Sequence, residues 1–502
     1  MPSRSPVVGG PAAVVDIGSN SIRLVVFRDR SRAAPVVFNE RVTCGIGREL
    51  AATGRLHADG VAQALANLPR FATIVRAMQI EDTMLVATAA TREASDGADF
   101  LKHVERIFGR KVAQLDGNQE ARLAACGVIS GLPDAQGVAA DLGGGSLELA
   151  ALSGGQVGDH GSLPLGPLRL AGLAASGKGM VDHIDAVLSD FSWVRGAMDG
   201  GAIYAVGGAW RALARLHMVQ TKYPLRVIHN YRMRGREAAD FCGVVAGLSA
   251  ASLSRVNAVP RSRVATLPVA ATVLQRLIKA SNSEQIVFSA NGIREGSQFD
   301  ALDPRTRAAD PLIVACEHFA ARENRVLGSG TALFDWVGPL FEGEDENLGR
   351  LRRAACLLAD IGWHEHPDYR AEQVYFRILR LPLQAVTHEE KTRIALAVYR
   401  RYTGAKGGAT LRVANALLTP EDMDWSRRLG TALRLAETLT GGNLDLLAGI
   451  ELRLDAAQLT LALAPGHDDL FGDLVRTRFA ALAKQFGVSG HIEGEGISEV
   501  VG

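Results

Sequence analysis

Over roughly the first three-fifths of the chain, short apolar runs alternate with stretches whose apolar residues fall three and four apart. Ala13-Val14-Val15 enters Asp16-Ile17-Gly18-Ser19-Asn20-Ser21-Ile22-Arg23-Leu24, which reads as strand, tight turn, strand. Val138-Ala139-Ala140 enters Asp141-Leu142-Gly143-Gly144-Gly145-Ser146-Leu147-Glu148-Leu149 in the same way. The two stretches align with Asp, Gly, Ser and the flanking aliphatics in register, so two domains of one ancestry are expected to face each other.

The intervening pattern predicts a helix over 60–79, where Val61, Leu65, Leu68, Phe71 and Val75 share a face. It predicts a strand over 84–88 and helices over 99–108 and 119–129. Strands at 203–206 and 285–288 run into glycine turns, Gly207-Gly208 and Asn291-Gly292, and then into helices. Alternating strands and helices imply α/β layers. The pattern changes near Asp303-Pro304. Residues 306–442 read as almost wholly helical. The last sixty read as a small α+β region, with strands at 450–454 and 458–464, a helix over 469–486 and a third strand at His491-Ile492.

Composition narrows the function only by exclusion. The chain has 502 residues, 47% hydrophobic, with 55 basic and 54 acidic side chains, a net charge of +1. Nothing global points to nucleic acid or a membrane, and no run of 18 apolar residues predicts a span. Cys44, Cys126, Cys242, Cys316 and Cys356 follow no metal or redox spacing and read as buried residues in a reducing cytosol. One local exception is the helical region. Residues 348–434 hold fifteen Lys/Arg and nine Asp/Glu, including Arg350, Arg352, Arg353, Arg377, Arg380, Arg400, Arg401, Lys406, Arg427 and Arg428. Such a run is usually a solvated face, but it could also guide a polyanion.

The chemistry lies at the hairpins. Glycines let backbone N–H groups approach a phosphate closely. Asp141, ending a buried strand, needs a cation, and Mg²⁺ shared with phosphate oxygens fits. Strand alternation puts Ser146 and Glu148 on one face, toward the cleft. In the first hairpin Arg23 stands where Glu148 stands in the second.

These residues together resemble the exopolyphosphatase and pppGpp-phosphohydrolase family of the actin/sugar-kinase superfamily. The first phosphate loop resembles 15–21 and the second 141–148. The stretch Thr88-Ala89-Ala90-Thr91-Arg92-Glu93-Ala94 resembles the one supplying a phosphate-binding arginine, Arg92. The stretch Gly117-Asn118-Gln119-Glu120-Ala121-Arg122 resembles the one carrying the catalytic glutamate, Glu120; the family often has a second acid where this chain has Gln119. Ala205-Val206-Gly207-Gly208 and Asn291-Gly292-Ile293-Arg294-Glu295-Gly296 match its later loops.

The resemblance implies two actin-like (ribonuclease H-like) α/β domains forming an active-site cleft, at 1–125 and 126–302. A helical HD-like domain at 306–442 and a small α+β domain at 446–502 would follow. It implies Glu120 and Arg92 as catalytic residues. Phosphate would be bound by Gly18, Ser19, Asn20, Ser21, Gly143, Gly144, Gly145, Ser146, Gly207, Gly208 and Arg294, and Mg²⁺ by Asp141, Glu148 and Asp16, with room for a monovalent cation such as K⁺. Glu120 would take a proton from water, a step outside the hairpin repeat. The expected substrate is inorganic polyphosphate, with pppGpp as the alternative and an actin-fold kinase or ATPase a distant third. A cytoplasmic homodimer is also implied. In the HD-like region the metal dyad falls on Ala359-Asp360, so the dyad is lost. His364 and His366 nearby read as polar helix-end residues or ligands of a phosphate chain.

Overall fold

The fold is described from a computed structural model covering residues 9–174, 178–198, 201–404 and 409–501. Two compact units divide between Ala309 and Asp310, and each is taken by itself.

The first unit is built on two sheets. Strands β1 (Ala12–Ile17), β2 (Ile22–Phe27), β3 (Val36–Val42), β4 (Asp82–Ala87) and β5 (Val112–Gln114) form one in the order β3-β2-β1-β4-β5. Strands β6 (Gly137–Leu142), β7 (Leu147–Ser153), β8 (Gln156–Leu163), β9 (Ala202–Val206), β10 (Tyr231–Arg234) and β11 (Gln285–Phe288) form the other, which runs β8-β7-β6-β9-β11-β10. Apart from β10 at the edge, the orders are the same. Even the register shifts correspond, at Val26/Phe27 and at Ala150/Leu152. The repeat seen in the two hairpins is therefore a repeat of whole sheets.

The apolar runs explain this. Both faces of the central strands are buried, so β1 and β6 carry almost no polar residue before their terminal aspartates. On the outer face of the first sheet Val15, Ile17, Ile22 and Leu24 pack on the helices Ala58–Ala77 and Gly97–Phe108 through Leu68, Phe71 and Val104. On the outer face of the second, Leu147 and Leu149 pack with Trp210, Leu213 and Leu274.

Between the sheets lie two helices, Gly117–Gly131 and Ile293–Asp300. Leu123 and Ile293 pack on Val14, Val25 and Val86 of the first sheet. Ala125, Val128, Ile129 and Phe299 pack on Ala139, Ala150, Val206 and Val287 of the second. Two glycines bring these helices together: a Cβ on Gly296 would lie 1.8 Å from the Leu123 carbonyl oxygen, and one on Gly127 2.3 Å from that of Gly292. Arg122 also clasps Asp300 with two hydrogen bonds of 2.9 and 2.7 Å.

The second unit is helical up to Thr440. A sheet then forms from β12 (Ile450–Leu454), β13 (Gln458–Leu463), β14 (Ser489–Glu493) and β15 (Ser498–Val501), in that order. Asp310 caps its first helix, accepting from Leu312 N at 2.8 Å. Asp360, expected to be one half of a lost metal dyad, is held by Arg325 (2.7 Å) and Arg401 (3.1 Å), both of which also reach Glu437. Two guanidinium groups thus balance the buried Asp360 and the half-exposed Glu437. His364 and His366 each face a single carboxylate at 3.9 Å. The basic run is largely neutralised locally: Arg350 pairs with Asp310, Arg352 with Glu344, Arg353 with Glu317, Arg377 with Glu323, and Arg427 and Arg428 with Asp424. Lys406 lies outside the described residues. All five cysteines are buried and free. Among the described residues no helix is long and apolar enough to cross a membrane.

Candidate active site

The paired hairpins share one geometry. Asp16 lies opposite Arg23 in the β1–β2 ladder, and Asp141 opposite Glu148 in β6–β7. In each turn the glycine after the strand donates its N–H across it, Gly18 to Ser21 and Gly143 to Ser146, both at 3.0 Å. The turns meet tip to tip: a Cβ at Gly144 would lie 3.3 Å from the Ser19 Cβ. Gly207 closes a third side with φ +106°, and a Cβ there would sit 2.5 Å from the Leu142 carbonyl oxygen and 3.2 Å from Asp141 Oδ1.

These elements enclose a cavity of about 150 Å³. Of the residues expected at the site, Asp16, Gly18, Ser19, Asn20, Ser21, Glu120, Asp141, Gly143, Gly144, Gly145, Ser146, Glu148, Gly207, Gly208 and Arg294 line it. Arg92 does not. Its Nη1 donates to Glu120 Oε1 at 2.7 Å and to the Leu115 carbonyl oxygen, so it stands behind the acid.

Glu120 is 3% exposed. Burial above all pushes its carboxyl up to about 7, with the Arg92 contact opposing and the charges of Asp141 and Asp16 adding. Burial lifts Asp141 to about 6, against Arg211 and Arg294. Burial also drives Glu148 well above the usual carboxylate range, helped by Glu120 and Asp141, although Ser146 and Ser162 hydrogen-bond it; the Ser162 Oγ–Oε1 distance is 2.9 Å. At Asp16, Arg294 Nη1 donates to Oδ2 at 2.8 Å.

Facing the acids are arginines that sequence alone did not single out for the site: Arg41, Arg211 and Arg263, together with Arg23. Among the described residues none of the four has a carboxylate partner within ion-pair distance. Burial, then neighbouring guanidinium groups, pull Arg23 and Arg263 down to about 10, and burial and Arg294 lower Arg211. Desolvated, mutually repelling cations make a site that requires an anion. Arg211 could have been flagged by its place in the first turn after Gly207-Gly208. Arg41 and Arg263 gave no signal.

Gln119, where the family often has an acid, is used structurally. Its Oε1 accepts from Asp116 N at 2.9 Å and its N–H donates to Asp116 Oδ1 at 2.8 Å, a reciprocal cap. Glu295 makes the matching bond to Gly292 N, also 2.9 Å. The two inner helices are thus equivalents in the repeat, and Glu120 corresponds to Gly296. Read from sequence, Glu120 lay outside the repeat; the topology brings it inside.

Do these acids suit Mg²⁺? Among the described residues no cluster of three His, Cys, Asp or Glu side chains is arranged to hold a metal alone, so the expected set of Asp141, Glu148 and Asp16 is not a complete cage. Asp141 accepts no side-chain hydrogen bond from the described residues, and its carboxylate faces the cavity from a desolvating wall. That suits an ion bound through one or two carboxylates and completed by water and substrate oxygens.

Residues 25–304 match the model of the Ppx/GppA phosphatase family, and residues 312–491 match one described as exopolyphosphatase, C-terminal. The chain belongs to the Ppx/GppA phosphatase family. A guanosine-5'-triphosphate,3'-diphosphate pyrophosphatase from Aeromonas salmonicida is 20% identical over 485 residues, covering 91% of this chain and 93% of that protein. Retrograde regulation protein 2 of Saccharomyces cerevisiae is 26% identical over 341 residues, 61% of this chain and 58% of the yeast protein's length. The Ppx/GppA family member from Aquifex aeolicus superposes with a TM-score of 0.51 at 23% identity, over 57% of this chain and 96% of that one. An exopolyphosphatase from Cytophaga hutchinsonii gives 0.53 at 18% identity, over 57% and 96%. The fold is the actin-like fold of these structures, two sheet domains around a cleft.

Proposed function

We propose that this protein is an exopolyphosphatase that hydrolyses the terminal phosphate of inorganic polyphosphate. One observation carries the reading: acids that include a buried glutamate with a proton affinity near neutrality face arginines without carboxylate partners across a single small cavity. The hairpin residues Gly18 to Ser21 and Gly143 to Ser146, with Gly207, Gly208 and Arg294, hold the terminal phosphate through N–H, hydroxyl and guanidinium groups. Glu120 accepts a proton from water as the water oxygen bonds to the terminal phosphorus. The bridging P–O bond breaks, and the shortened chain leaves with that oxygen. Asp141 and Glu148, with Asp16 beyond them, are the residues that would hold Mg²⁺, which when bound neutralises charge on the phosphoryl group. A homodimer is part of this proposal and is checked by light scattering.

The test is Glu120→Gln. Phosphate release from polyphosphate should fall by roughly 10²–10⁴-fold while the melting temperature is not lowered. Near-normal turnover removes Glu120 from the mechanism.

Hydrolysis of the 5'-γ-phosphate of pppGpp is the second reading, supported by the Aeromonas salmonicida relative that matches along nearly its full length. Parallel assays of one preparation on long polyphosphate and on pppGpp separate the two. A strong preference for pppGpp reverses the order. ATP-dependent phosphorylation of a small acceptor would instead favour the kinase reading.

A further inference from the structure

The first turn of the helix Gly208–Gln220 divides its residues between a core and the cavity. Trp210, Ala212 and Leu213 are buried in the apolar core of the second sheet, where Trp210 Nε1 donates to the Ala270 carbonyl oxygen at 2.9 Å. Gly207 and Gly208, four and three residues ahead of Arg211, share its side of the helix, and all three line the cavity. Arg211 Nη1 donates to the Ala290 carbonyl oxygen at 3.0 Å, in the loop after β11. The guanidinium is thus stretched from the end of β9 to the end of β11. Its Nε and Nη2 meet no acceptor among the described residues.

The neighbouring arginines are placed differently. Arg23 Nε donates to Asn39 at 2.7 Å, Arg41 Nε to Ser21 Oγ at 3.0 Å, and Arg294 Nη1 to Asp16. Of Arg23, Arg41, Arg211 and Arg263, Arg211 is the most deeply enclosed. Asp141 lies beside the same turn, opposite Val206 in the β6–β9 ladder. Arg211 is the cation whose field acts on that carboxylate most strongly, yet the two are not in ion-pair contact. An acid and a guanidinium that face each other without touching leave a place between them for a third charged group. An enclosed guanidinium with unused donors is costly until an anion completes it.

We propose that Arg211 is a catalytic residue that donates to a non-bridging oxygen of the terminal phosphate. The inference rests on the reading that the hairpin turns hold that phosphate. As the bridging P–O bond breaks, charge spreads over the non-bridging oxygens. A guanidinium already fixed by Ala290 meets that charge without having to reorganise. A lysine would keep the charge but lack the fork that reaches Ala290 and the phosphate together.

The experiment compares Arg211→Gln and Arg211→Lys with the parent enzyme in buffer containing Mg²⁺. Three quantities are read: kcat on polyphosphate, affinity for inorganic phosphate by calorimetry, and melting temperature with and without phosphate. Arg211→Gln should lower kcat by roughly 10²–10³-fold, the usual effect of removing one donor to a developing oxyanion. Its phosphate affinity should fall about tenfold, the loss of one charge-assisted hydrogen bond. Its melting temperature without phosphate should not be lowered, because an uncompensated cation has left an enclosed place, and added phosphate should raise it less than it raises the parent's. Arg211→Lys should recover most of the phosphate affinity and only part of kcat. A merely structural role predicts a lower melting temperature in Arg211→Gln with phosphate affinity unchanged, and that result overturns the proposal. Parent-like kcat and phosphate affinity in Arg211→Gln overturn it as well, and leave the reading of the site intact. If the parent itself neither binds phosphate nor releases it from polyphosphate, that reading has failed and the inference falls with it.

Discussion

Arg294 and Asp16 join the two halves of the repeat: Nη1 on an inner helix donates to Oδ2 at the end of β1, 2.8 Å away, with side chains 12% and 16% exposed. Removing one partner of such a pair strands the other in a place where water is scarce. Asp16→Asn should therefore lower stability by roughly 2–3 kcal/mol, read as a shift in the urea midpoint. An unchanged midpoint would mean that the pair contributes nothing to folding and that Asp16 is free for other work.

The acids opposite should show up in stability against pH. Glu148 and Glu120 have proton affinities above the ordinary value of 4.5. Between that value and the raised one, the folded chain binds more protons than the unfolded chain. Stability therefore falls as pH rises through this window, which for Glu120 extends to about 7. Glu148→Gln removes part of the loss. Its melting temperature in metal-free buffer should exceed the parent's by roughly 2–4 °C at pH 8 and match it at pH 4. Coincident curves at both values would contradict the assigned burial of the acid.

Gly296 tests the packing between the sheets. A methyl group there meets the Leu123 carbonyl oxygen at 1.8 Å, so the helices must separate. Gly296→Ala should cost about 1–3 kcal/mol. It should also lower kcat, because Leu123 lies one turn beyond Glu120. A stable variant of full activity would show that the helices tolerate separation and that their spacing does not set the base.

Much of this was legible in the chain. Each hairpin joins two apolar runs through a glycine turn, a signal that survives without any tertiary information. The Ala359-Asp360 pair could be picked out in the sequence, although the hold of Arg325 and Arg401 on Asp360 could be seen only once distant helices were in place. Other features left little trace. The strand β3 has no buried residue, and its hydrophobic and polar side chains fall on both faces instead of alternating. The strands β5, β10 and β15 have three or four residues each. Arg41 and Arg263 come from an edge strand and a single 3-10 turn, where an arginine is ordinarily solvated. The equivalence of the inner helices was hidden because Glu120 and Gly296, at the same place in the repeat, share no chemistry. The direction of Arg92 could not be read at all, since both neighbours that orient it are distant in sequence.

The glycine-packed helix pair has one more consequence. Glu120 and Arg294 ride on a common chassis, and each sheet is bolted to it by its own set of apolar side chains. If the cleft breathes, the sheets swing on this chassis and the chassis itself does not split. Asp16 and Asp141 then travel with their sheets, which breaks the Arg294–Asp16 hydrogen bond, while the base and Arg294 keep their spacing. Cleft opening would thus loosen the grip on a phosphate and leave the proton acceptor aligned for the next one.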